Sequence, residues 1–204
     1  RISHNDSVHR YKSLGVDVYI GHARFADTET VEVTGPAGNR TLKFAKAAIC
    51  TGARASAPPI PGLLETGYLT NETIFSLTEL PPRLAVIGAG PIGCELAQAF
   101  ARFGSQVYLI EAMHGIMPNE DRDAAHIVHE SMLRDGVQLL CCGKDLHVIK
   151  MKDGRRLTVD SHGQRYDVMV DEILVGVGRT PNVEGLGLET VGVEYDKTGV
   201  KVNG

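Results

Sequence analysis

Tryptophan is absent from this 204-residue chain, and cysteine occurs only at Cys50, Cys94, Cys141 and Cys142. None of the four forms a CxxC or CxxxxC pair, so there is no disulfide framework, and a reducing, cytoplasmic setting is expected. No apolar run approaches the ~20 residues that a membrane helix needs, and no charged-then-apolar leader is present, so neither a membrane nor secretion is expected. Neither sign of charge dominates. The 21 basic and 25 acidic side chains leave a net charge of -4, which gives no reason to expect nucleic acid or an anionic membrane as partner. A GxSxG nucleophile elbow and a P-loop lysine are also missing.

What is present is a 43% hydrophobic composition, enough for one or two domains with a core, and 23 glycines, which point to many tight turns. Residues 3–14 read as the end of a helix, with Val8, Tyr11 and Leu14 on one face and Gly15 as its stop. Residues 16–20, 30–33 and 42–44 are β-type runs, and the Gly35-Pro36-Ala37-Gly38-Asn39 turn separates the last two. They predict a small antiparallel meander, followed by a short apolar strand at 47–50. Pro58-Pro59-Ile60-Pro61-Gly62 is extended, and Pro81-Pro82 punctuates the chain again, which places a domain boundary near residues 58–82. A short helix is expected within 70–77.

Beyond it the pattern becomes strand, helix, strand, helix, strand: 84–87, 91–103, 106–110, 121–134 and 137–140. That alternation predicts an α/β, Rossmann-like parallel sheet. Ile127, Val128 and Met132 are the expected core positions of the second helix. From 146 to 174 the runs are β-like again, with hairpin turns at Asp153-Gly154 and Ser161-His162-Gly163, and residues 199–202 form a last β-type run.

The sharpest signal is Gly88-Ala89-Gly90-Pro91-Ile92-Gly93, between the first strand and first helix of that alternation. Gly88 permits the tight turn, Gly90 lets a diphosphate approach the backbone, and Gly93 lets the helix pack against the sheet. Free N–H groups at the helix start, aided by its dipole, favour phosphate, and Pro91 suits a first helical turn. The second strand ends in Glu111, where a carboxylate accepts ribose hydroxyls and repels the extra phosphate of NADP. Ala112, Met113 and His114 follow, with no arginine, so NAD(H) is favoured. From the loop alone FAD stands as the rival nucleotide, and a structural turn that binds nothing as the lesser alternative.

Glu95 reads by itself as an exposed helix residue, and Cys94 as a small packing residue. The adjacent thiols of Cys141 and Cys142 suit a soft ion such as Hg(II) or Cu(I). Neighbouring strand residues point to opposite faces, however, so no metal site is assigned. His126 and His129 lie three apart on a helix without a cysteine or carboxylate at ligand spacing.

Four segments together resemble the pyridine nucleotide-disulfide oxidoreductases: Ala48-Ile49-Cys50-Thr51-Gly52-Ala53, the 58–62 connection, Gly88-Ala89-Gly90-Pro91-Ile92-Gly93-Cys94-Glu95, and Gly176-Val177-Gly178-Arg179-Thr180-Pro181-Asn182. Residues 67–79 and 91–100 are similar to the mercuric-reductase branch, with dihydrolipoamide dehydrogenase as near neighbour. The resemblance implies a nicotinamide domain (76–177) inserted into a partial FAD domain (1–75, with 178–204 returning to it). It implies that Ala23, Thr51, Gly52 and Ala53 lie at FAD, and that Glu95 and Gly178 lie near the nicotinamide. It further implies hydride transfer from NAD(P)H through flavin to a dithiol, in a homodimeric parent.

Several family features do not occur in this sequence: the N-terminal FAD glycine motif, the CxxxxC pair, the second FAD-contacting Asp segment and the dimerisation domain with its His-Glu pair. The chain is therefore expected to be an internal portion, inactive alone, and no catalytic residue is assigned. The vicinal cysteines are not the C-terminal pair of mercuric reductases, and Glu111 departs from the NADPH preference usual in that branch. Three functions stay open: a mercuric-reductase-like enzyme, a dihydrolipoamide-dehydrogenase-type enzyme and a non-catalytic nucleotide-binding module.

Overall fold

A computed structural model describes residues 5–203. The chain forms two compact units, one of residues up to Ala53 together with those from Pro181 onward, the other Arg54–Thr180.

In the first unit, helix α1 (Val8–Ser13) is capped by Ser7, whose side chain accepts the Arg10 N–H at 3.1 Å. Residues 3 and 4 of the expected helix lie outside the described residues. Val8, Tyr11 and Leu14 are exposed, and Gly15 ends the helix at φ 82°. Strands β1 (His22–Phe25), β2 (Thr30–Gly35) and β3 (Gly38–Lys43) form the antiparallel meander, in that order. Asp27 holds the first turn by accepting the Glu29 N–H and the Thr30 hydroxyl, both at 2.8 Å. Residues 16–20 and 47–50 are not strands, contrary to their composition. Val16, Tyr19 and Ile20 are exposed, and β1 begins its pairing only at His22. A β-type sequence without a neighbouring ladder has nothing to stabilise it as a strand.

Strand β4 (Ala53–Ala55) carries the chain into the second unit, where α2 (Leu63–Thr66) is a single turn. The helix expected within 70–77 shrinks to a 3-10 turn at Ile74–Ser76. Thr73 Oγ1 accepts the Thr70 N–H (2.9 Å) and Thr70 Oγ1 accepts the Glu72 N–H (3.2 Å), so first-turn donors are capped, but the backbone turns extended at Leu77, ψ 133°, and the helix goes no further.

The rest of the unit is strand β5 (Arg83–Ile87), helix α3 (Pro91–Phe103), β6 (Gln106–Ile110), α4 (Arg122–Arg134), β7 (Gln138–Leu140), β8 (Lys144–Met151), β9 (Gly154–Ser161), β10 (Gln164–Val170) and β11 (Glu172–Val175). The sheet order is β11-β5-β6-β7, parallel throughout. Leu84, Val86, Val107, Leu109 and Leu174 pack with Ala97 of α3 and Met132 of α4 on one face. On the other, Ala85, Ile87, Ile110, Ile173 and Val175 pack with Val148, Leu157, Val159 and Val170 of the three-stranded sheet β10-β9-β8. Burial on both faces explains why these strands are continuous apolar runs; each fully buried leucine contributes about 1.5–3 kcal/mol relative to exposure.

On α4, Asp121 caps the start and Met132 is buried as expected, with Val128 partly so. Ile127 is 70% exposed, because Ala125, not Ile127, shares the inward face with Met132. Among the described residues no helix is long and apolar enough to cross a membrane.

The chain returns through β12 (Arg179–Pro181) to the first unit, which closes with a 3-10 turn at Leu188–Val191 and the hairpin of β13 (Tyr195–Asp196) and β14 (Gly199–Val200).

Asp171, between β10 and β11, joins the two sheets. It accepts the Arg83 backbone N–H at 2.8 Å and the Arg83 guanidinium at 2.6 and 3.1 Å. The hydrogen bonds from the Arg83 guanidinium hold its carboxyl below the ordinary carboxylate range. A carboxyl lowered on folding stabilises fully above its unfolded value, about pH 4, and loses that contribution as pH falls through the folded value. Asp171→Asn is expected to lower the urea midpoint at pH 7 and to flatten the acid limb of a stability–pH curve. Asp167→Asn, in the exposed pair with Arg156, should change the midpoint much less.

Candidate nucleotide-binding site

The carboxyl ends of β5, β6 and β11 open into a cleft of about 950 Å³, walled by Gly88, Gly90, Pro91, Ile92, Glu111 and residues 176–179 among others. A crevice beyond the carboxyl ends of parallel strands is where open α/β sheets take ligands.

The glycines of the turn have separable tasks. Gly88 sits at φ 102°, and a Cβ there would lie 2.6 Å from the Gly176 carbonyl oxygen. At Gly93 a Cβ would lie 1.9 Å from the Gly88 carbonyl oxygen, so α3 could not approach β5 with any larger residue. A Cβ on Gly90 would meet nothing within 4 Å, although it borders the cleft. The space at Gly90 is therefore not used by the protein's own packing.

Pro91 opens α3 with Gly90 as N-cap. Ile92 and Gly93 stand in the first turn, where N–H groups have no intrahelical acceptor. Ala89 is fully buried and already engaged: its N–H donates to Glu111 Oε2 at 2.7 Å and its carbonyl accepts from Met117 at 2.8 Å. The other Glu111 oxygen accepts the Met113 N–H at 2.8 Å. This carboxylate thus pins the glycine turn to the loop after β6, and with about four lone-pair sites it keeps acceptor capacity for a ligand.

Of the residues expected at a nicotinamide dinucleotide, Gly88, Gly90, Pro91, Ile92, Glu111 and Gly178 border the cleft, whereas Ala89 and Gly93 lie behind it as buried supports. Glu95 is exposed on the second turn of α3 and is not part of the cleft wall. In the first unit, Ala23 and Thr51 border one hollow of about 200 Å³. Thr51 and Gly52 are held by Asn182, whose N–H donates to the Gly52 carbonyl at 3.0 Å and whose carbonyl accepts the Thr51 hydroxyl at 2.7 Å. Ala53 begins β4.

Sequence motifs alone missed residues 117–120, Asp145, His147 and Arg179, which also wall the cleft. The signal for the first group was available: they follow the carboxyl end of a parallel strand.

Cys94 is buried against the turn, its Sγ 3.3 Å from the Ala89 carbonyl oxygen. Burial, with the nearby carboxylates of Glu111 and Glu95, pushes its thiol up to about 12. It serves as packing, as its type indicated.

The model of the pyridine nucleotide-disulphide oxidoreductase family matches residues 3–204. The chain belongs to this family. It is 35% identical to mercuric reductase of Staphylococcus aureus over 92% of its own length and 34% of that protein's. With dihydrolipoyl dehydrogenase of Acholeplasma laidlawii it is 33% identical, covering 94% of this chain and 55% of the relative. The fold superimposes on the Cu(II) complex of HOCl-induced flavoprotein disulfide reductase RclA from Escherichia coli with a TM-score of 0.84 and 31% identity, over 97% of this chain and 44% of that one. The chain spans between one third and just over one half of these relatives. Oxidoreductases of this family depend on FAD and NAD(P).

The glycine geometry separates folding from binding. Gly93→Ala should lose about 1–3 kcal/mol of stability through overpacking. Gly90→Ala, at an ordinary φ of -73° in open space, should stay within about 1 kcal/mol of wild type. If a dinucleotide enters through the open space at Gly90, this variant should weaken its binding about tenfold or more, because a methyl group would then fill that space. Chemical denaturation and calorimetry measure the two effects.

Proposed function

We propose that residues 76–177 form the nicotinamide-binding domain of an FAD-dependent oxidoreductase, and that residues 1–75 and 178–204 belong to its FAD domain. Supporting this reading above all is one juxtaposition: an unfilled approach at Gly90 beside a carboxylate at Glu111, at the mouth of one cleft.

In this reading the first-turn N–H groups of Ile92 and Gly93, with the α3 dipole, receive the diphosphate. Glu111 accepts the adenosine ribose hydroxyls while retaining its bonds to Ala89 and Met113. Gly178, with Glu95 as the family resemblance implies, stands at the nicotinamide end. When bound, the nicotinamide would supply a hydride, and the flavin would pass its electrons on to a dithiol. The protein's part is to hold and orient the dinucleotide; Ala23, Thr51, Gly52 and Ala53 are assigned to FAD.

A negative Glu111 disfavours a ribose phosphate, so NADH is the preferred coenzyme. The intact enzyme is read as a cytoplasmic homodimer of the mercuric-reductase-like branch that reduces Hg(II). The identity to dihydrolipoyl dehydrogenase, over a larger share of that relative, supports a disulfide as the alternative terminal substrate.

Paired titrations with NADH and NADPH test the coenzyme reading. Wild type should bind NADH more tightly, and Glu111→Ala should weaken NADH about tenfold, near 1.4 kcal/mol, while narrowing the gap to NADPH. A wild type that prefers NADPH would refute the assignment of Glu111.

A further inference from the structure

The vicinal cysteines do not obey the strand alternation expected of them. Strand β7 ends at Leu140, and Cys142 follows with a left-handed backbone, φ 54°. With the strand ended, neighbouring side chains no longer need to point to opposite faces. Two histidines meet them there. Cys141 Sγ lies 3.2 Å from Nε2 of His162, at the β9–β10 turn, and Cys142 Sγ lies 3.5 Å from Nδ1 of His114, in the loop after β6. The donor atoms of all four residues lie within 4.8 Å of one another.

The surrounding backbone fixes this convergence. The Cys142 N–H donates to the Met113 carbonyl at 2.9 Å, the Gly143 N–H to the Glu111 carbonyl at 2.8 Å, and the Ser161 hydroxyl to the Cys141 carbonyl at 2.5 Å. Three loops distant in sequence thus present two sulfurs and two nitrogens to one point. Cys141 is buried, Cys142 is partly buried, and the two histidines are exposed, which leaves an entry path.

We propose that His114, Cys141, Cys142 and His162 bind one tetrahedral thiophilic cation, Zn(II) by the chemistry of this donor set. Thiolate and imidazole ligands in equal number are a structural zinc set. Zinc–sulfur bonds of about 2.3 Å and zinc–nitrogen bonds of about 2.0–2.1 Å imply donor separations of roughly 3.3–3.8 Å around a tetrahedron. The two sulfur–nitrogen distances already fall close to that range, and no other separation, all being within 4.8 Å, needs to contract by more than about 1.5 Å. Both thiols release their protons to solvent on binding, so the two thiolates neutralise the cation and affinity rises with pH. The ion would tie the loop after Glu111 to the β9–β10 hairpin. The second histidine group, His126 and His129, does gain a carboxylate, Glu130, within the same 4.8 Å limit. It lies along one helix without a sulfur ligand, and soft-ion chemistry favours the first cluster.

The test is Co(II) titration of the reduced chain, followed by displacement with Zn(II). Expected are one Co(II) per chain, the visible bands of tetrahedral cobalt and an ultraviolet thiolate-to-cobalt band, all removed by Zn(II), with a rise in Tm. Cys142→Ser and His114→Asn should abolish the tetrahedral signal, while Cys50→Ser retains it. Independently of any variant folding, Zn(II) should shift the ring-nitrogen resonances of His114 and His162 in the wild type. Octahedral cobalt spectra, signals unchanged in folded Cys142→Ser and His114→Asn, or unshifted His114 and His162 rings would each overturn the site.

Discussion

The packing of α3 against β5 rests on a contact that only a hydrogen atom permits, between Gly93 and the carbonyl of Gly88. A Cβ at position 93 would fall 1.9 Å from that oxygen, well inside any tolerable separation. Because the helix comes this close, its first turn stands directly beyond the carboxyl end of β5, with Gly90, Pro91 and Ile92 on the cleft wall. Glu111 completes the arrangement by accepting backbone donors on both sides, from Ala89 and Met113. One carboxylate therefore links the end of β6 to the glycine turn before any ligand arrives.

The two-sided burial of the parallel sheet makes this possible. With helices on one face and the β8–β10 sheet on the other, the free surface of the strands is at their ends, and the loops there carry the polar chemistry. The same principle places the Cys–His cluster. It gathers loops after β6 and β7 and the turn between β9 and β10, next to Glu111 but built from different side chains. The proposed dinucleotide site and the proposed soft-ion site thus adjoin without sharing a donor.

The α/β alternation was legible because several signals agreed at each step. At 91–103, the glycine loop after a strand and Pro91 in the first turn marked the same helix, and the helix has those bounds, with Gly104 left-handed at its end. Where one signal stood alone, the outcome differed. The apolar runs at 16–20 and 47–50 had strand composition but no ladder to join. The 70–77 stretch caps a first turn through Thr70 and Thr73, yet its β-branched and polar residues are weak helix formers, and the turn ends at Leu77. Ile127 was apolar on the wrong side of its helix. The site's glycines and Glu111 were visible in one motif because each answers a local backbone need. The 117–120 wall and the His114–Cys141–Cys142–His162 cluster depend on which loops tertiary packing brings together, and a left-handed residue at Cys142 cancelled the alternation rule there.

The central claim is that the backbone at the start of α3 holds a diphosphate while Glu111 holds the adjoining ribose. A crystal structure of the chain with NADH tests it most directly. The account predicts diphosphate oxygens within hydrogen-bond distance, about 2.7–3.2 Å, of the Ile92 or Gly93 N–H and a ribose hydroxyl on Glu111. Dinucleotide bound elsewhere, or in this cleft with its diphosphate away from residues 90–93, would contradict it.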